Sequence, residues 1–256
     1  MSVKSFDELA SEAIRKSFSG WDFSYLAGRY DEGNPSWDYG RKVYARMKGA
    51  MKMLDMGTGG GEFLAGLQPL PKKTFATESY AANVEVASAR LTPLGVKVIG
   101  VESEANLPFP SGYFDLVINR HEEFHAAEVH RVLRPGGVFV TQQVGGRNTD
   151  ELNQLLQKKV NGRVEHVRPS WSLAEARSEL EDAGMRVIEG LEDSFPSRFS
   201  DIGAVVYFLR NAPWEIPDFD VGRYQEPLFE MHRLMERDGG LQVTSERFYI
   251  EAARDH

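Results

Sequence analysis

From residue 51 onward the apolar positions switch period at short intervals. Residues 51–56 make an apolar run of strand length, after which Phe63, Leu64 and Leu67 return at helical spacing. The alternation then repeats. Extended runs at 73–77, 96–101, 113–118 and 138–144 are separated by helical faces at Val84, Ala87 and Leu91 and across 121–133. Strands that alternate with helices predict a parallel sheet covered on both faces through right-handed crossovers, an α/β three-layer sandwich.

The flanks read differently. Phe6, Leu9, Ala13, Ile14 and Phe18 predict an amphipathic helix over 5–18. Trp21, Tyr30, Trp37 and Tyr39 follow among Asp, Gly, Asn and Pro, an irregular stretch that leads into a helix at 37–48. Beyond the fifth strand, 149–160 reads as helix, and Leu173, Ala176, Leu180 and Ala183 define another that Gly184 stops. A strand is expected at 186–191, a helix at 201–209, a link at 212–217, a helix through Tyr224, Leu228, Met231 and Met235, and a last strand at 247–252.

The first strand runs into Asp55, then Gly57, Thr58, Gly59, Gly60 and Gly61, and a helical face begins at once. Gly57 lets the chain leave the strand through dihedrals a Cβ forbids, Gly59 admits a ligand to the backbone, and Gly61 lets the helix start pack closely. The helix beginning there offers unpaired N–H groups and a positive dipole end. The spacing Gly-x-Gly-x-Gly is not the Gly-x-Gly-x-x-Gly of dinucleotide binders. It resembles motif I of the class I S-adenosylmethionine-dependent methyltransferases, in which the turn lies against the methionine part of the cofactor. That resemblance implies that Asp55 faces the cationic side of S-adenosylmethionine, with Thr58 beside it in the turn.

Further segments match in order. Glu78 ends the second strand about 20 residues on, where an acid accepts hydrogen bonds from both ribose hydroxyls, with Ser79 next to it. Residues 102–110, Glu-Ser-Glu-Ala-Asn-Leu-Pro-Phe-Pro, resemble the family's acid-x-x-x-Leu-Pro-Phe loop, whose acid meets the adenine amino group and whose next N–H meets a ring nitrogen. Here the acid position holds Ser103, with Glu104 one residue later and Ala105 after it, so the adenine partner stays open between Ser103 and Glu104. Leu133-Arg134-Pro135-Gly136-Gly137 resembles the family's Leu-Lys/Arg-Pro-Gly-Gly signature and reads as a turn closing the helix before the fifth strand. The resemblance implies a Rossmann-like fold with a mostly parallel seven-stranded sheet whose last strand is antiparallel. Its division of the chain is a helical lid segment over 1–49, a cofactor-binding core over 50–195, a lid insertion over 196–240 and a closing strand within 241–256.

Open α/β sheets bind ligands outside the carboxyl ends of their strands. Asn119, Arg120, His121 and Glu122 follow the fourth strand, and Thr141, Gln142 and Gln143 end the fifth, so these groups should border the transferable methyl. Asn119 is expected against the cofactor, Arg120 against an anionic substrate group, and His121 or Glu122 as a proton acceptor. Tyr30, Trp37, Tyr39, Gln142 and Gln143 are expected to line the substrate side of a lid, against the plainer role of packing that large aromatics usually have. His121-Glu122-Glu123-Phe124-His125 also satisfies His-Glu-x-x-His, the zinc peptidase pattern. The longer peptidase motif would need Gly at 128 and His at 131, where the chain has Glu128 and Arg131. Zinc hydrolysis and a catalytically silent cofactor-binding module are therefore the alternatives to a methyltransferase, and no metal is expected.

Composition narrows the partners. The chain has 256 residues, enough for one large domain with a lid, and no cysteine, which excludes disulfides and thiolate metal sites and makes the cytoplasm the expected compartment. Net charge is −8 with the bases scattered, so no nucleic acid is expected as partner and a small molecule is the expected acceptor. The first residues lack a signal-peptide core and no apolar run is long enough to span a bilayer, so no membrane association is expected.

Overall fold

The structure, a computed structural model, describes residues 4–18, 22–161, 171–217 and 219–255, so Trp21 lies outside the described residues. Among these the order is α1 (Phe6–Arg15), β1 (Tyr30–Glu32), α2 (Tyr39–Met47), β2 (Lys52–Met56), α3 (Glu62–Gly66), β3 (Lys73–Glu78), α4 (Ala81–Leu91), β4 (Lys97–Gly100) and β5 (Phe114–Arg120). It continues through α5 (Ala126–Val132), β6 (Leu133–Val144), α6 (Asp150–Asn161), α7 (Leu173–Asp182), β7 (Met185–Phe199), α8 (Ile202–Asn211), α9 (Gln225–Asp238) and β8 (Leu241–Arg254). No helix among the described residues is long and apolar enough to cross a membrane.

The sheet has eight strands in the order β1-β7-β8-β6-β5-β2-β3-β4, one more than the seven expected. The added strand is β1, three residues too short to show a period, paired antiparallel to the far end of β7 through Tyr30↔Phe199 and Glu32↔Ser197. Strands β2 to β6 are mutually parallel, and β8 runs antiparallel to β6, as expected for the closing strand. Between β2 and β5 the order of connection reverses, and their ends lie side by side through Met56↔Asn119. That reversal is where open α/β sheets form a ligand crevice.

The chain divides into two compact units. One comprises residues 36–145, 171–193 and 247–256 and holds β2 to β6, the first part of β7 and the end of β8. Its strands bury both faces, and alternate residues feed two cores. Leu54, Val117, Phe139, Phe248 and Ile250 pack with Val129 and Val132 of α5 and Ala176 and Leu180 of α7. Met53, Leu116, Ile118, Val140 and Tyr249 pack with Val43 and Met47 of α2, Leu64 of α3 and Ala87 and Leu91 of α4. This is the three-layer sandwich that the period-2 positions call for.

The other unit comprises residues 1–35, 146–170 and 194–246. Its core joins Leu9 and Ala13 of α1, Leu152 and Leu156 of α6, Val205 and Leu209 of α8 and Leu228 and Met231 of α9. Ser5 and Glu8 close a capping box at the start of α1, which ends at Arg15 instead of 18. The apolar stretch after residue 201 is helix because Asp201 caps it, accepting from the Ala204 N–H at 3.1 Å, while Arg29 pairs with the same carboxylate. Tyr30, expected on a substrate-facing lid, stacks in this unit on Phe199 at 4.3 Å and bonds Ser245 at 3.3 Å.

Two motif-level expectations change. Helix α5 begins at Ala126, not at 121, and His125, expected inside that helix, is its N-cap. The Leu-Arg-Pro-Gly-Gly segment is a bulge inside β6 and not a helix-closing turn: Phe114 pairs with Leu133 and Leu116 with Val138, so residues 134–137 loop out of register. A Cβ on Gly137 would meet the Arg134 and Phe114 carbonyl oxygens at 2.9 and 3.0 Å, which is why the bulge needs glycine there.

Candidate active site

The glycine turn leaves β2 after Asp55 and Met56. Gly57, Gly59 and Gly61 take φ of 65°, 59° and 80°, the left-handed region that L side chains avoid. A Cβ on Gly57 would stand 2.3 Å from Glu122 Cγ, so this glycine makes room for an acid just beyond the end of β5 as well as turning the chain. A Cβ on Gly61 would meet Leu91 at 2.8 Å, the close helix packing expected there. The helix that follows, α3, is only five residues long. The expected dipole contribution is therefore small, because few peptide units align. Charge at the site must come from side chains.

Four carboxylates meet around this turn. Asp55 is 4 % exposed and accepts from Thr58 Oγ1 at 2.7 Å. Glu78 is 2 % exposed, accepting from the Gly59 N–H at 2.7 Å and the Tyr80 N–H at 2.8 Å. Glu104 is 5 % exposed, with one oxygen accepting from Thr77 Oγ1 at 3.2 Å and Oε1 buried without a hydrogen-bond partner. Glu122 lies over Gly57. Burial pushes Asp55 up to about 7, with Glu78 adding to the rise while Thr58 and Arg120 oppose it. Burial likewise pushes Glu104 up to about 7, assisted by Glu122, Glu78 and Asp55, and Glu122 up to about 7, assisted by Glu78 and Glu123. These acids, three of them buried, repel one another. A cation placed among them would relieve both costs.

The adenine-loop alternatives separate in space. Ser103 is exposed and its Oγ accepts from the Ala105 N–H at 3.1 Å, so Ser103 and Ala105 are engaged with each other, whereas Glu104 is buried beside Thr77. Ser79 is exposed. Thr77 escaped the sequence reading because a threonine inside a strand carries no motif signal.

On the other side of the reversal, the polar strand ends brace one another. Asn119 is fully buried; its Oδ1 accepts from Thr141 Oγ1 at 3.0 Å and Gln143 Nε2 at 2.6 Å, and its amide donates to the Met56 carbonyl at 3.4 Å. Gln143 also donates to the Glu122 carbonyl at 2.9 Å. Tyr39 is 5 % exposed and its hydroxyl donates to the Asn119 carbonyl at 2.8 Å, and Trp37, 8 % exposed, donates to Gln142 Oε1 at 2.9 Å. Trp37, Tyr39, Gln142 and Gln143, expected on a lid, are thus buried braces. Their polar atoms satisfy the strand-end backbone and one another.

Arg120 is exposed, with its guanidinium 5.0 Å over the Phe63 ring. His121 takes φ 63°, its N–H donates to the Gln142 carbonyl at 2.8 Å, and its Nε2 lies 3.1 Å from Gln142 Nε2. Its side chain is exposed. The His-Glu-x-x-His residues do not share a helix face, since 121–125 precede α5, and among the described residues no three acid or imidazole groups are placed to share a metal ion.

S-adenosylmethionine fits this chemistry. The glycine cradle admits a ligand close to the backbone, the carboxylates call for a cation, and the orphaned Glu104 oxygen calls for a donor such as an adenine amino group. Residues 54–141 match the family described as a methyltransferase domain. No curated protein matches the chain. Among solved structures, a putative methyltransferase from Bacillus halodurans is similar at 18 % identity over 86 % of this chain and 99 % of that one, with TM-score 0.59. The YcgJ protein of Bacillus subtilis is similar at 15 % identity over 85 % and 98 %, with TM-score 0.56. A putative sarcosine dimethylglycine methyltransferase from Galdieria sulphuraria is similar at 15 % over 91 % and 84 %, with TM-score 0.51. Such identities speak for the fold, and the matched domain, which spans the glycine turn, the acid at the end of β3 and the strand-end residues of β5, speaks for the cofactor. With both in hand, residues 54–141 form a methyltransferase domain whose cofactor is S-adenosylmethionine, set in a fold similar to those structures.

Proposed function

We propose that this protein transfers a methyl group to a small-molecule acceptor by direct in-line displacement. The observation that carries the reading is the meeting of Asp55, Glu78, Glu104 and Glu122 on the glycine turn, three of them with carboxyls raised to about 7. When bound, the cofactor supplies a methyl already activated on a sulfonium, so no nucleophilic side chain is required. What the chain must do is hold, orient and exclude water. Asp55 takes the cationic end with the backbone of Gly57, Thr58 and Gly59, Glu78 takes the ribose hydroxyls, and Glu104 takes the adenine amino group. Asn119 and Gln143 keep the β5 end rigid beneath the reacting centre. Glu122, with its carboxyl near 7, is the group placed to accept a proton where the acceptor carries one. Scattered bases and a net charge of −8 favour a small acceptor over a nucleic acid, and the lack of cysteine accords with reaction in the cytoplasm.

The test is a calorimetric titration with S-adenosylmethionine and with its demethylated product, followed by incubation of protein and labelled cofactor with metabolite and macromolecule fractions of a cell extract. Saturable binding with label in the metabolite fraction is expected, and label confined to protein or RNA would remove the small-molecule reading. Glu104→Gln is expected to weaken both cofactor forms about tenfold through loss of a charged acceptor. Ser103→Ala should leave affinity within about twofold, because its hydroxyl is engaged locally and is exposed to water. The reverse pattern would move the adenine contact to Ser103.

A further inference from the structure

The hydrogen bonds of Trp37, Gln142 and His121 form a directed chain. An indole N–H donates only, so the Gln142 atom facing Trp37 at 2.9 Å is its carbonyl oxygen. The other end of that amide is then NH2, and it faces His121 Nε2 at 3.1 Å. Two donors cannot share a hydrogen bond, so Nε2 carries the lone pair and the single imidazole proton resides on Nδ1. His121 Nδ1 makes no hydrogen bond to a described residue. The left-handed backbone at His121, φ 63°, is uncommon for a residue with a Cβ, and the Gln142 carbonyl holds it by accepting the His121 N–H at 2.8 Å. Side chain and main chain are thus both fixed by one residue of β6.

We infer that His121 is a substrate-docking donor: Trp37 and Gln142 fix its imidazole as the neutral Nδ1–H form, which binds an anionic group, carboxylate or phosphate, on the methyl acceptor. This rests on the methyltransferase reading and assigns the acceptor side of the same site. It also removes His121 as the proton acceptor, because its one lone pair is already engaged by Gln142. The charges facing the ring agree. Desolvation by the protein around the ring disfavours the imidazolium most, Arg247 from β8 and Arg120 from the end of β5 add to it, and together they hold it well below the usual histidine range. The crevice is consequently bipolar, with acids around the glycine turn for the cationic donor and the exposed Arg120 guanidinium next to His121 for an anionic acceptor. Trp37 and Gln142 act through His121 and are positioning residues.

The test uses full-length protein labelled with nitrogen-15 in histidine and saturated with S-adenosylhomocysteine. Between about pH 6 and 8, long-range proton–nitrogen spectra are expected to show His121 neutral and protonated on Nδ1 throughout. An imidazolium or an Nε2–H form in that window overturns the inference. Gln142→Glu, which can only accept, is expected to turn His121 into an imidazolium while S-adenosylhomocysteine affinity holds. A merely structural Gln142 would leave the ring neutral. Acetate and inorganic phosphate, added separately as probes, are expected to shift the Nδ1 signal saturably, with the tighter probe naming the anion. Arg120→Gln should weaken that probe about tenfold. His121→Asn, chosen because asparagine tolerates the left-handed backbone, should also weaken it, as read by calorimetry. If the cofactor product binds and neither anion moves His121, the docking role is overturned and the methyltransferase reading stands; if the product does not bind, both fall.

Discussion

Replacing Asp55 by asparagine is expected to weaken S-adenosylmethionine binding about a hundredfold while making the cofactor-free protein more stable above neutral pH. Both effects have one cause. Burial and the neighbouring Glu78 raise the Asp55 carboxyl from 3.8 to about 7. Between those values the folded chain holds a proton that the unfolded chain has lost, so stability falls as pH rises through about 7 and is fully present only below 3.8. At about 1.4 kcal/mol per pKa unit, reduced for relaxation of the site, the variant should gain roughly 1–3 kcal/mol near pH 8. Glu104 and Glu122 titrate in the same direction. Cofactor binding to the wild type should accordingly release protons near pH 7, seen as a calorimetric enthalpy that changes with the ionisation heat of the buffer. The release should be larger for the sulfonium cofactor than for its product, which lacks that charge. Unchanged affinity in Asp55→Asn, or a thermal midpoint that does not fall with rising pH, would refute the assignment.

The second large effect belongs to Gly57. An alanine there must hold φ near 65°, a conformation costing roughly 1–2 kcal/mol, and its Cβ would stand 2.3 Å from Glu122 Cγ and 2.5 Å from Glu122 Cβ. Loss of about 2–4 kcal/mol of stability is expected, together with loss of detectable cofactor binding. The two causes can be separated. Gly57→Ala combined with Glu122→Gly removes the overlap and leaves the backbone strain, so the pair should recover part of the stability in a denaturant titration. Full loss in the pair would mean that the contact with Glu122 does not matter and that the dihedral alone forbids a side chain.

The strand-helix alternation across residues 51–144 was legible because the core unit buries both sheet faces, and each strand then carries a continuous apolar run. The lengths of β7 and β8 were not. Expected at 186–191 and 247–252, they span Met185–Phe199 and Leu241–Arg254 because their outer halves, such as Ser194 and Gln242, carry polar residues that a hydrophobic-run reading discards. Strand β1 has three residues and no period at all, and only its ladder with β7 makes it a strand. The start of α5 was misplaced by five residues, since 121–125 continue a helical-looking pattern that the left-handed His121 breaks.

What the sequence determined by itself is the methyl donor. Asp55, the alternating glycines and Glu78 lie within one strand-turn-helix-strand stretch, and a local segment of that kind carries its acids at the ends of its own two strands. The tertiary structure decided what depends on long separations. It placed Glu122 over Gly57, buried Glu104 beside Thr77 while leaving Ser103 exposed, and packed Trp37, Tyr39 and Gln143 as buried braces. It also aligned Trp37, Gln142 and His121, residues separated by up to 105 positions, into one directed hydrogen-bond chain. Proton location follows from which atoms face each other, and only the packed sheet brings those atoms together.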